Sequence, residues 1–190
     1  MATRQGNEKI LWVGKYHYCE MTGLNAYTAP PDHDTSKPFV PDRIIEIAAI
    51  VTDKDLNLLD DGVQYIIKTD KDVLDNMNEW CINQHGKTGL TASCLSSSTT
   101  MSQVDDLVSD YVKSHFDGGD TKALLAGNSV HADKLFIRKD LPKLHSLLHY
   151  RILDVSTIKE LVARWYPQVS RPAKADSDHR AIHVLGSLQN

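Results

Sequence analysis

A mixed α/β fold, a sheet with helices packed on it, is predicted for this chain of 190 residues. Two observations predict it. Short apolar runs with strand character come first, and strand and helix patterns alternate after them, which is the element order of a mixed sheet flanked by helices. In addition, 41% of the residues are apolar and 24% are charged, enough for one domain with a full core rather than two small ones.

Ile10 to Val13 is a short apolar run, and Arg43 to Thr52 (RIIEIAAIVT) is nearly continuous in β-branched and small apolar residues. Both read as interior strands, the second covered on both faces. Val63, Tyr65 and Ile67 alternate with Gln64, Ile66 and Lys68 behind the turn residues Asp60-Asp61-Gly62, the pattern of a hairpin. Asn25 to Pro41 holds four of the seven prolines and supports neither ladder nor helix, so it is assigned to a surface loop. Val104, Leu107, Val108, Tyr111 and Val112 recur at helical spacing, with Ser102 and Asp105 ahead of them in capping-box order. Ala123 to Ala126 is a short strand leading into Gly127-Asn128-Ser129, and a helical pattern runs from Ala132 to about Leu148 with an interruption at Pro142. Ile158, Leu161, Val162 and Trp165 mark a further helix, with Thr157 and Glu160 as its capping box and Pro167 as its stop. No internal repeat is found, and Ser96 to Thr100 is the single low-complexity patch, read as a solvated loop.

Charge and cysteine usage narrow the function classes. Twenty-one Lys and Arg against twenty-five Asp and Glu give a net charge of -4, which disfavours holding a long polyanion by charge alone. No apolar run approaches the roughly 18 to 20 residues of a membrane span, and Met1 to Lys9 is polar, unlike a secretory signal. Cys19, Cys81 and Cys94 are odd in number and form no C-x-x-C, so neither a disulfide framework nor a zinc cluster is indicated. An intracellular protein, in cytoplasm or mitochondrion and not on a membrane, is expected.

Four clusters carry candidate chemistry: Glu20-Met21-Thr22-Gly23-Leu24, Gly127 to Asp133 (GNSVHAD), His149 to Thr157 (HYRILDVST) and Asp178-His179-Arg180-Ala181. Each lies at the end of a strand or helix pattern. Together, EMTGL, DRIIEIA, GNS, HYR, LDVST and HRA stand in an order that closely resembles the oligoribonucleases, small 3′ to 5′ exoribonucleases of the DEDDh group within the ribonuclease H-like fold. The likeness runs from Ile10 to Ile182 apart from Asn25 to Pro41. It implies one exonuclease domain over residues 10–190, residues 25–41 as a surface loop insertion, and a mixed five-stranded sheet flanked by helices.

The resemblance also implies a site. Glu20 and Asp133 match family carboxylates that hold divalent metal, magnesium or manganese, and His179 matches the general base that deprotonates the attacking water. Tyr18 stands where the family's bridging Asp belongs and Val184 where its last Asp belongs. Two divalent ions about 3.5 to 4 Å apart activate water and neutralise the leaving oxygen in such hydrolysis. Magnesium needs oxygen ligands, a tyrosine phenol is neutral near pH 7, and valine supplies no ligand. His183, four residues beyond His179, and the acidic Asp176 and Asp178 are candidate substitutes, although imidazole suits zinc better than magnesium. Loss of metal-binding strength is the reading adopted, and the alternative function is a catalytically inactive homologue that binds short nucleotides as a dimer.

Substrate contacts match the family more fully. By resemblance Leu24 wedges between the bases of a very short RNA, Trp80 stacks on one of them, and His85 contacts the scissile region. Taken alone, a Trp beside Asn78 and Glu79 is either a core aromatic or an exposed stacking platform, and stacking is indifferent to base identity. Ser129, Arg151, Ser156 and Thr157 match a group that caps the 5′-phosphate, a task suited to a guanidinium fork and hydroxyl donors. Such a cap limits substrate length and agrees with the acidic net charge, since a dinucleotide has few phosphates to neutralise. Tyr150 matches a residue donated across a twofold axis, implying a homodimer. The resemblance assigns no role to His131 or His149.

Overall fold

The computed structural model describes residues 9–17 and 43–169. Strands β1 (Ile10–His17), β2 (Ile44–Thr52), β3 (Val63–Ile66), β4 (Ala123–Gly127) and β5 (Leu148–Asp154) form one sheet in the order β3-β2-β1-β4-β5. The pairs β1–β2 and β2–β3 are antiparallel, whereas β1–β4 and β4–β5 are parallel. The mixed five-stranded sheet flanked by helices is therefore present. All nine residues of β2 are buried, as its unbroken apolar run requires.

β1 departs from expectation in length. The apolar signal ends at Val13, yet the ladder continues through Gly14↔Ala48, Lys15↔Ile47 and Tyr16↔Glu46 to His17. Its neighbour explains this: β2 is long and central, and its first residues would expose backbone donors and acceptors without a partner. On the other side β1 meets β4 only through Ile10–Trp12. Hence β1 runs on beyond the level of Gly127 by four residues, about 13 Å at the usual strand rise.

Between β3 and β4 lie α1 (Lys71–Asp75), α2 (Glu79–Lys87), α3 (Leu90–Ser96) and α4 (Met101–His115). The first three are short and carry no long periodic pattern, which is why sequence periodicity passes over them. Their buried Leu74, Cys81, Leu90 and Cys94, with Met77 between α1 and α2, pack on Ile45 of β2. Helix α4 lays Val104, Val108 and Val112 against Leu11, Val13, Ile47 and Ala49 in the main core. Its capping box is Thr100 with Gln103, two residues before the Ser102–Asp105 pair read from sequence. The end of the serine-rich loop thus serves as a helix cap.

Asp105 has a different task. It is buried, and its carboxylate accepts from the Lys143 N–H at 3.0 Å and the Leu144 N–H at 2.9 Å. These are orphan donors at the start of α6 (Pro142–Leu147), which has no cap from its own side chains. Pro142 occupies the first turn and divides α6 from α5 (Val130–Asp140), as its ring demands. Asp140, at the other end of α5, accepts from the Ile44 N–H at 3.0 Å and fastens that helix to the start of β2. The long helical pattern ends at Leu147, and Leu148–Asp154 is strand. His149, Tyr150 and Arg151 interrupt its alternation because the β4–β5 register is irregular there. Helix α7 (Val155–Trp165) follows directly, capped by the Asp154 side chain rather than by Thr157 with Glu160.

Asp105→Ala leaves two helix-end donors buried beside α4. A loss of about 2 to 3 kcal/mol is expected, read as a lower urea midpoint with an unchanged slope, and Asp105→Asn should recover part of it.

Candidate active site

The carboxyl ends of β4 and β5 lie side by side, with Gly127 level with Asp154. At Gly127 a Cβ would stand 3.2 Å from the Val13 carbonyl and 3.1 Å from Val130, so only glycine lets β1, β4 and α5 approach this closely. The chain then turns through Ser129, whose φ of 56° and ψ of 33° place a non-glycine residue in the left-handed region. This sharp turn launches α5, and Asp133 sits half-buried in its first turn.

Asp154 holds the turn in place. Its Oδ1 accepts from the Ser129 N–H and the Ser156 N–H, both at 2.9 Å, while His131 Nδ1 lies 2.9 Å from Oδ2. Burial alone would raise this carboxyl, but the hydrogen bonds from His131, Ser156 and Ser129 outweigh it and hold the group below the ordinary aspartate range. One carboxylate therefore joins β5, α7 and the β4–α5 turn.

The two serine hydroxyls face each other as a consequence. Ser129 Oγ is 3.0 Å from Ser156 Oγ, and Ser156 Oγ donates to Asn128 Oδ1 at 3.2 Å. Lys159 Nζ donates to the same oxygen at 3.1 Å. A hydroxyl and an ammonium thus converge on one acceptor, with a second hydroxyl adjoining. A phosphate oxygen in the place of the amide oxygen would meet the same donors. From sequence Asn128 enters only as part of the Gly127 to Asp133 cluster, without a role, and Lys159 is not singled out; its signal is available, since Lys159 stands three residues after Ser156 on a helix and must share its face. Thr157 instead lines a neighbouring cavity of about 520 Å³ with His131, Ile152, Leu153, Asp154 and Ile158. His131, which had no assigned role, is the third partner of Asp154.

Arg151 is exposed on β5, and its guanidinium carbon lies 5.2 Å from the centre of the Tyr150 ring. Tyr150 is 74% exposed on this edge strand and its ring is 4.4 Å from that of His149. Lys134 Nζ donates to the carbonyls of His149 and Tyr150 at 2.9 and 2.8 Å, pinning the irregular stretch, and burial lowers its ammonium below the usual lysine range. On α2, Trp80 is 54% exposed, which excludes a core aromatic. His85 on the same helix is 1% exposed. Glu20, Leu24 and His179 lie outside the described residues, as do Tyr18, His183 and Val184 and the loop assigned to 25–41. Among the described residues no group of three or more His, Cys, Asp or Glu side chains forms a metal site, and no helix is long and apolar enough to cross a membrane.

The family described as Exonuclease matches residues 19–183. The probable oligoribonuclease of Dictyostelium discoideum is 40% identical over 179 residues, 94% of this chain and 84% of that protein. The oligoribonuclease of Neisseria gonorrhoeae is 42% identical over 171 residues, 90% of this chain and 89% of its own length. A mitochondrial oligoribonuclease of Mus musculus is 43% identical, this chain spanning 66% of it. Among solved structures, E. coli Exonuclease I in complex with an oligonucleotide aligns over 95% of this chain with a TM-score of 0.63 at 11% identity, this chain spanning 39% of that protein. The nuclease domain of 3′hExo, a DEDDh family member, bound to rAMP, aligns over 86% of this chain and 72% of its own with a TM-score of 0.52 at 20% identity. At such identities the structures speak for the fold, whereas the match over most of the sequence and the extended identity to oligoribonucleases speak for kinship: the chain belongs to the exonuclease family, in its oligoribonuclease branch.

Proposed function

We propose that the protein is a 3′ to 5′ exoribonuclease of the oligoribonuclease type, degrading RNA of a few nucleotides, dinucleotides above all, to mononucleotides. The observation that carries this reading is the convergence of the Ser156 hydroxyl and the Lys159 ammonium on one acceptor, with the Ser129 hydroxyl adjoining, at the start of the helix that bears Asp133, in a chain about 40% identical to oligoribonucleases. Ser129, Ser156 and Lys159 bind the 5′-phosphate, with Arg151 and Thr157 completing the cap. Trp80 stacks on a base and Leu24 separates the two bases. His85, five residues beyond Trp80 on α2, contacts the scissile region. Residues 10–190 act as one exonuclease domain, working as a homodimer in which the exposed Tyr150 of one copy completes the site of the other. The proposed compartment is cytoplasm or mitochondrion, the latter supported by mammalian relatives named mitochondrial.

Exonucleases of this group generally depend on divalent metal, and magnesium or manganese is the proposed ion. When bound, such ions supply activated water and neutralise the leaving oxygen. The carboxylates offered at family positions are Glu20 and Asp133, with His179 placed to take the proton from water. Tyr18 and Val184 offer a neutral phenol and an alkyl group, so this donor set does not fit a two-ion site. A third departure lies in β1, whose residues Gly14–His17 carry the strand beyond the level of Gly127. Without them Val13 would precede residue 18 directly, beside the turn that launches α5. Tyr18 and Val184 are also what a binding-only homologue would carry, and the following assay separates the two readings.

The unaltered chain should release mononucleotides from a 5′-phosphorylated diribonucleotide only slowly, even with manganese. Removing Gly14–His17 together with Tyr18→Asp and Val184→Asp should raise turnover by orders of magnitude, and more than the two substitutions alone. If the unaltered chain turned over as fast as the Neisseria oligoribonuclease in a side-by-side assay, the account of its donor set would be wrong.

Binding should outlast catalysis, since stacking and phosphate capture need no complete metal cluster. Stacking is worth about 1 to 3 kcal/mol per base, so Trp80→Ala should weaken diribonucleotide binding roughly 5- to 150-fold whether or not a 5′-phosphate is present. Arg151→Ala should penalise only the phosphorylated form, because its guanidinium fork has no partner when that phosphate is missing. Calorimetric titration of both ligands against each variant checks this, and an equal penalty for the two ligands in Arg151→Ala removes Arg151 from the cap.

A further inference from the structure

We propose that Asp154 is a positioning residue that sets the geometry of the phosphate-binding hydroxyls, an inference that rests on the cap reading above and deepens it. The simplest role for this side chain is to cap α7, and its bond to the Ser156 N–H does so. That role leaves two contacts unaccounted for. The same oxygen also takes the N–H of Ser129, 25 residues away in sequence, and the other oxygen meets His131, 23 residues away.

The two amides gathered by Oδ1 belong to the two residues whose hydroxyls face each other at 3.0 Å. Holding both backbones at one atom fixes the separation of the hydroxyls without touching them. Ser129 needs this restraint, because its left-handed backbone is one that serine seldom adopts unaided. His131 then closes Oδ2, and because it stands two residues after Ser129 on α5, it holds the first turn of that helix to the same carboxylate. The Asp154 side chain is only 10% exposed and that of His131 is 65% exposed, so the carboxylate is the interior anchor and the imidazole its outer brace. A ligand phosphate binds the hydroxyls and the Lys159 ammonium, while Asp154, itself anionic, stays behind them and acts through their backbones.

Substitution by serine separates this role from simple capping. A serine side chain caps a helix well but is too short to reach Ser129 or His131, so Asp154→Ser should keep α7 and the fold. The Asp154→Asn variant keeps the Oδ1 acceptor for both amides, and His131 can turn its other tautomer toward the new amide N–H. The test titrates a diribonucleotide with and without a 5′-phosphate, in EDTA, against the unsubstituted protein, Asp154→Ser, Asp154→Asn and Ser129→Ala/Ser156→Ala with and without Asp154→Ser. Expected is a loss of about tenfold in the preference for the phosphorylated ligand in Asp154→Ser, the scale of one mispositioned charge-assisted contact. Asp154→Asn should restore most of the preference, and Asp154→Ser should remove nothing further once both hydroxyls are gone. An unaltered preference in Asp154→Ser, or an equal weakening of both ligands, would overturn the positioning role while leaving the cap intact. Absence of any preference for the phosphorylated ligand in the unsubstituted protein would instead remove the cap reading and this inference with it.

Discussion

The parallel pairing of Ile10–Trp12 with Leu124–Ala126 is the joint on which the molecule depends. On one side of it lies an antiparallel half, β1 with β2 and β3, and on the other a parallel half, β4 with β5 and their helices. Three residue pairs, more than a hundred residues apart in sequence, bring the halves together, so the closure entropy of a long loop is offset by a short ladder and the side chains around it. Leu11, Val13 and Leu125 are buried with Val130, Ile137 and the valines of α4, and that shared core makes so short a pairing sufficient. The pairing also leaves the carboxyl ends of β1 and β4 pointing the same way. An open sheet collects ligands outside the carboxyl ends of its parallel strands, and the candidate site lies there.

At that end the structure relies on carboxylates acting on backbone rather than on packing. Asp154 gathers two amides and an imidazole, Asp105 closes the start of α6, and Asp140 holds the start of β2. Each bridges elements far apart in sequence and satisfies donors that no secondary structure can satisfy. On the opposite side, Asp60 accepts from the Tyr111 hydroxyl at 2.8 Å and the Gly62 N–H at 2.8 Å, tying the turn before β3 to α4. Burial, reinforced by the bond to Asp60, raises the Tyr111 phenol above its ordinary range and keeps it a donor. A chain with more Asp and Glu than Lys and Arg therefore uses part of its acidity as internal connectors, so net charge understates how little of it repels a short nucleotide.

Sequence patterns disclosed the elements whose burial is one-sided or complete. The unbroken apolar run of β2, the helical spacing of α4 and the break at Pro142 are each enforced by a single constraint, and each is where it was expected. Features set by competition between distant segments were not legible. β1 outruns its apolar signal because β2 demands a partner, and β5 lacks alternation because its register with β4 shifts around Tyr150. Caps were misread for a related reason. Ser102 with Asp105, and Thr157 with Glu160, have the right spacing, but Asp105 is drawn to α6 and Asp154 reaches α7 first. The same limit applies to the site: motif likeness picked out Ser129 and Ser156, helical spacing from Ser156 points to Lys159, and the partners of Asn128 and His131 show only when β4 and β5 are laid side by side.

On the proposed reading, the departures from the family pattern fall unevenly between the two tasks of such a site, and the physics of each task explains the difference. In the proposed cap, phosphate capture would rest on neutral hydroxyls, an ammonium and backbone geometry, all of which tolerate rearrangement nearby because no single charge balances the rest. Metal capture is less forgiving. Two divalent ions at close range repel each other strongly, and only anionic ligands shared between them make the arrangement stable. On the proposed reading, Tyr18 in the place of a shared carboxylate would remove that compensation and Val184 would remove another charge, while Gly14–His17 extends the strand that precedes position 18. The substitutions at Tyr18 and Val184 would thus act on one quantity, the negative charge offered together with Asp133 for metal. The bonds from Asp154 to Ser129 and His131 also hold the first turn of α5, which bears Asp133, so the hydrogen-bonded half of the proposed site supports the half built on charge without supplying the charge that it lacks.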